Sequence, residues 1–127
     1  MVSRKLLTNI RSHTIGFLYY LMAVLTAIAI PVFTSQLERS REATDLSNIR
    51  AAYAEAVADY LADGAKVAKS ANVTNIKQTV NGWQTSAHLY SRVNGSEKEV
   101  ALPSNIAGAT KVTVNVSAGG TVTVNKS

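Results

Sequence analysis

TIGFLYYLMAVLTAIAIPVF, residues 14–33, is the stretch on which the reading of this chain turns. It holds no charged residue. As a helix it would span about 30 Å at about 1.5 Å per residue, close to the hydrocarbon thickness of a bilayer. Arg4, Lys5 and Arg11 precede it with no acid beside them. Basic residues flanking an apolar helix stay cytoplasmic, so residues 1–13 are expected inside and the chain from Thr34 outside. Tyr19 and Tyr20 suit the membrane–water interface. Pro31 lacks a backbone donor and opposes the carbonyl four residues back, which predicts a kink. Hydropathy alone leaves three readings open: a plain anchor, a cleaved signal segment, or a helix that packs against copies of itself.

The next segment, TSQLERSREATDLSNIRAAYAEAVADYLAD at residues 34–63, is rich in Ala, Leu, Glu and Arg, all good helix formers. Leu46, Ile49, Tyr53, Val57 and Tyr60 recur at spacings of three and four and make one apolar stripe. Before Leu46 the stripe fades, and residues 35–45 read as solvated or packed on other chains. Glu38, Glu42, Asp45, Glu55, Asp59 and Asp63 read as a solvated face of this helix. One helix of about 45 residues, from about Gly16 to Leu61, is expected, stopped at Asp63-Gly64.

Beyond Ser70 the pattern turns to short strands. Asn81-Gly82 favours a tight hairpin turn, with WQTSAHLYSRV at residues 83–93 as the return strand. Asn94-Gly95 is a second turn signal, and residues 100–102 a short strand before Pro103. KVTVNV at residues 111–116 and TVTVN at residues 121–125 alternate strictly around Ser117-Ala118-Gly119-Gly120, an antiparallel hairpin. Four or five antiparallel strands need one face covered, and the stripe on the helix is the available cover. The expected fold class is α+β: a long N-terminal α-helix, membrane-spanning in its first half, packed by its second half on a small antiparallel β-sheet.

With 127 residues the chain has room for one small domain and an anchor. It contains no cysteine, which excludes disulfides, thiolate catalysis and thiolate metal sites. The net charge is +5, but from Thr34 onward ten Lys/Arg face eight Asp/Glu, so the excess lies mostly before the apolar stretch. Clustered basic residues with interleaved aromatics, the footprint of a nucleic-acid face, are not found in the sequence. His13 and His88 are the only histidines, and no GxSxG, HExxH or phosphate-loop motif occurs. No catalytic, cofactor-binding or metal-binding residue is assigned, and an enzyme is not expected. Tyr53, Tyr60 and Trp83 are read as core residues.

The order of these elements resembles a type IV pilin or pseudopilin. The resemblance rests on the basic leader, Gly16-Phe17 opening the apolar helix, Ala27-Ile28-Ala29-Ile30-Pro31 with Phe33, and the polar, Ala-rich helix that follows. The lack of cysteine makes the domain more similar to pilins of Gram-positive bacteria. The resemblance implies that a prepilin peptidase cuts after Gly16 and methylates the new N-terminal Phe17. It implies an assembly helix that includes Leu21, Ala27, Ile30, Pro31 and Phe33. Leu21 stands at the fifth mature position, where the family carries glutamate, and the distance from Phe17 to Pro31 is shorter than the family's by about two helical turns.

The domains implied are a leader (residues 1–16), an apolar assembly segment (17–33), an amphipathic continuation (34–69) and a small sheet (70–127) forming one globular domain with residues 46–69. The expected partners are copies of the chain in a helical filament, other pilins, the prepilin peptidase and the membrane, with no small-molecule substrate and no specific nucleic-acid contact. The chain is expected in the cytoplasmic membrane before assembly and in a cell-surface filament afterwards. Loops around residues 81–83 and 94–99 would meet neighbours or surfaces. The alternative is a secreted or membrane-anchored, non-enzymatic binding domain. Ala27-Ile28-Ala29 also fits a signal-peptidase site, with cleavage after Ala29.

Overall fold

The computed structural model describes the backbone of residues 2–127 and the side chains of residues 14–23 and 34–127. Helix α1 (Val2–Ala62) runs for 61 residues. Pro31 does not end it. Gly64 (φ +77°) and Ala65 (φ +58°) turn the chain off its C-terminus in the left-handed conformation. Ala65 N–H donates to the Tyr60 carbonyl at 3.0 Å, closing the last turn. Five strands follow: β1 (Lys69–Val73), β2 (Leu89–Ser91), β3 (Lys98–Val100), β4 (Val112–Val116) and β5 (Val122–Lys126). One compact unit ends at Leu37, and a second comprises Glu38–Ser127.

Within the second unit, β1, β4 and β5 form an antiparallel sheet in the order β1-β4-β5, and β2 and β3 form a separate antiparallel pair. In the larger sheet Val114 faces Ala71 on one side and Val124 on the other. Strict alternation along β4 puts Val112, Val114 and Val116 into the core while Thr113 and Asn115 face outward. Ile49, Ala52, Ala56 and Tyr60 of α1 share one buried cluster with these valines and with Leu89, Val100 and Ile106. Tyr53 and Val57 flank the cluster, partly buried. The buried line on α1 thus includes two alanines, Ala52 and Ala56, between Ile49 and Tyr60. The side chain of Trp83 packs on the margin of the same cluster, and its indole N–H donates to the Pro103 carbonyl at 3.1 Å.

The fold class expected from the sequence is corrected here. Among the described residues, no helix is long and apolar enough to cross a membrane, so a membrane-spanning first half is not found. The described apolar side chains of residues 14–23 cover about 15 Å of helix, roughly half a bilayer's hydrocarbon core. The rest of the stretch, residues 24–33, has its side chains outside those described. Two small antiparallel sheets stand in place of one. The helix begins at Val2 rather than near Gly16.

The strand order also differs from the expected one. Residues 74–88 lie outside helix and strand, and the return strand expected at 83–93 is reduced to β2. Gly82 has the positive φ of a turn (+89°), yet its N–H donates to Ser104 at 2.6 Å, not across a hairpin. The reason lies on α1: the N–H groups a strand would have used are taken by carboxylates.

Candidate functional site

Three acidic residues of α1 hold the segment of residues 77–85. Asp45 accepts the N–H groups of Lys77 and Gln78, one on each carboxylate oxygen, both at 2.8 Å. Glu38 Oε1 accepts the N–H groups of Thr79 at 2.8 Å and Val80 at 3.0 Å, and its Oε2 accepts the Thr79 hydroxyl at 2.8 Å. Glu42 accepts Gln84 N–H at 2.7 Å on Oε1, and Thr85 N–H at 3.1 Å with the Thr85 hydroxyl at 3.0 Å on Oε2. Glu42 and Asp45 are fully buried and Glu38 is 3% exposed. The solvated face expected at these three positions is therefore corrected.

Burial alone would raise the pKa of Glu38. The hydrogen bonds from Val80 N–H, the Thr79 hydroxyl, Thr79 N–H and the Arg41 guanidinium outweigh it and hold the carboxyl below its ordinary value of 4.5. Arg41 reaches Glu38 Oε2 at 3.2 Å and the Thr79 hydroxyl oxygen at 3.0 Å. The sequence carries a signal for this arrangement. Glu38, Glu42 and Asp45 continue, turn by turn, the spacing of Ile49, Ala52, Ala56 and Tyr60, so they occupy the buried face and not the solvated one.

The other assigned positions lie in the first unit. Gly16 has open space where a side chain would begin. Phe17 is 62% exposed, Tyr19 71% and Leu21 40%, and Ile15, Leu18 and Tyr20 are exposed to similar extents. A helix that presents large apolar side chains on consecutive positions offers them on all sides, not along one stripe. Ile15, Leu18, Tyr19 and Met22 line a shallow apolar depression along one side. Ala27, Ile30, Pro31 and Phe33 belong to α1, but their side chains lie outside those described. The structure thus places Gly16, Phe17 and Leu21 together on one exposed segment.

The remaining polar side chains form pairs on the surface. His88 Nδ1 lies 2.6 Å from Glu99 Oε1, and its ring stacks on Tyr90 with centroids 5.9 Å apart. Arg92 Nε donates to Glu97 at 2.8 Å. Among the described residues no group of three or more His, Asp or Glu side chains is arranged to hold a metal ion. Comparison with protein-family models, with curated proteins and with solved structures finds no match.

Proposed function

We propose that this chain is a non-enzymatic structural subunit of a type IV pilus-like filament, assembled through the apolar N-terminal part of α1. The observation that supports this best is the exposed apolar surface at Ile15, Phe17, Leu18, Tyr19, Tyr20 and Leu21. It occurs in a chain whose other compact unit, Glu38–Ser127, has a core of its own. Covering a large apolar side chain is worth about 1.5–3 kcal/mol, so six partly exposed ones represent on the order of 10 kcal/mol gross, before the costs of association. Copies of the same helix, side by side, provide that cover. Leu21 stands where the family carries a glutamate that neutralises a neighbouring subunit's new amino terminus, so in this reading the Phe17 amino group needs another partner or exposure to water. In this reading a prepilin peptidase cuts between Gly16 and Phe17, the partners are copies of the chain and related subunits, and the assembled product lies at the cell surface.

The test is the intact mass of the mature protein recovered from its own cells, with electron microscopy of the same material. Chains that begin at Phe17, with or without one added methyl, and that form thin filaments support the proposal. Chains that begin at Ile30 overturn it in favour of a secreted binding domain. Uncut chains without filaments overturn it as well.

A further inference from the structure

We propose that residues 77–85 form a strap latched to α1 by the carboxylates of Glu38, Glu42 and Asp45, and that the strap opens as a local unit on acidification, when Glu38 takes up a proton. Six backbone N–H groups within nine residues, those of 77, 78, 79, 80, 84 and 85, go to these three side chains. All six oxygens of the three carboxylates already accept a donor. A proton added to Glu38 Oε1 would point at the N–H groups of Thr79 and Val80, and one on Oε2 would meet the guanidinium of Arg41. Protonation therefore turns an accepting contact into a donor facing a donor, and the latch loses its sign complementarity.

The charged groups around the latch are few. On α1, Arg41 pairs with Glu38, and the three carboxylates stand about one turn apart along the helix. From the strap, Lys77 contributes its backbone N–H to Asp45 and is itself exposed. Besides the bond from the Arg41 guanidinium to the Thr79 hydroxyl, the strap has neutral ties that lead elsewhere: Gly82 N–H to Ser104, Asn81 Oδ1 from Ala107 N–H, and Trp83 to Pro103. Release from α1 thus leaves β4 and β5 with their own ladder intact. The low pKa of Glu38 agrees with a latch that favours the ionised form. A carboxylate held ionised in the closed state stabilises closure above the ordinary carboxylate range and loses that contribution as pH falls through its closed-state pKa.

Amide hydrogen exchange of the full chain against pH tests this, with each rate divided by its intrinsic chemical rate. The logarithm of protection for the six strap amides should be flat near neutral pH. It should then fall on acidification with a slope of at most about one, for the proton that Glu38 takes up on opening. Amides of β4 and β5 should keep their protection over the same interval. Emission of Trp83, the sole tryptophan, should shift with the strap amides. Glu38→Gln, which presents a donor as the protonated acid does, should remove that slope. Strap protection that stays flat on acidification would overturn the proposal. So would loss of strap and β4–β5 protection together, because the strap would then not be a separate unit.

Discussion

Asn94 and Gly120 interlock the two hairpins of the folded unit. A methyl group built on Gly120 would overlap Asn94 Oδ1, with Asn94 Cγ at 3.1 Å and Val93 Cγ1 at 3.3 Å. Gly120 also has φ of +82°, a conformation that L side chains adopt only under strain. The β2–β3 turn and the β4–β5 turn therefore meet at a point with no room for a side chain.

Gly120→Ala should destabilise the folded unit by about 2 kcal/mol or more, from backbone strain and overlap together. Gly119→Ala is the internal control. Its nearest neighbour would be Ser117 Oγ at 3.9 Å, ordinary contact, and its cost should stay within about 0.5 kcal/mol. Urea denaturation checks both, with the midpoint moving and the slope unchanged. Equal midpoints for the two variants would show that the hairpins do not meet as described.

Tyr60 ties the end of α1 to the β4–β5 turn. Its hydroxyl lies 2.8 Å from the Ala65 carbonyl and 3.1 Å from that of Ala118. Tyr60→Phe keeps the ring in the core but leaves both acceptors without this donor. It should cost about 1–2 kcal/mol. Tyr53→Phe removes only a 3.4 Å contact to Ser91 at the margin of the core and should cost less than about 0.5 kcal/mol. Thermal melts of the two variants check the difference.

Glu38 should shape the acid limb of stability. Its folded pKa lies below the ordinary 4.5, so its contribution is present above that value and is lost as pH falls through the folded pKa. Glu38→Gln should cost about 1–3 kcal/mol at neutral pH, because buried N–H groups lose a charged acceptor. The gap between wild type and variant should narrow as pH falls below 4.5, where the wild-type carboxyl also becomes neutral. Stability curves against pH for the two proteins provide the check. A gap that stays constant to low pH would contradict the assignment.

The exposed segment of the first unit should matter for association and not for folding of the second. Leu18→Lys places a charge where apolar cover is proposed, and burying an unpaired charge costs several kcal/mol. Filaments should be lost while the thermal transition of the folded unit stays unchanged. Filaments formed at the wild-type level would remove this segment from the assembly interface.

Some of the arrangement is local enough to be read directly. KVTVNV and TVTVN alternate with period two, and they pair as β4 and β5 around a turn of small residues. Ile49 and Tyr60 carry helical spacing and enter the core. The alanines between them are less legible, because a small apolar side chain such as Ala52 or Ala56 occurs as readily on an exposed helix face as in a core. The exposure of Phe17 and Leu21 follows from apolar residues placed on every side of one helix. The pairing of His88 with Glu99 follows from the β2–β3 hairpin, whose register sets Tyr90 opposite Glu99.

The sequence by itself determined the helix over residues 34–62 and the valine hairpin, because each depends on near neighbours and a fixed period. The buried face of the helix lies to one side of the expected stripe, through Ala52 and Ala56 in place of Tyr53 and Val57. Only the tertiary structure decided what Glu38, Glu42 and Asp45 do, and with them the fate of residues 77–85. An acid every turn has the same helical propensity whether water or an amide faces it. Asn81-Gly82 likewise turns equally well in a hairpin or in a loop. The choice was made by donors more than thirty residues away: N–H groups of 77–85 that bond to carboxylates of α1 are unavailable to a β-ladder. Where a segment finds stronger, charged acceptors across the fold, the local preference for a strand gives way.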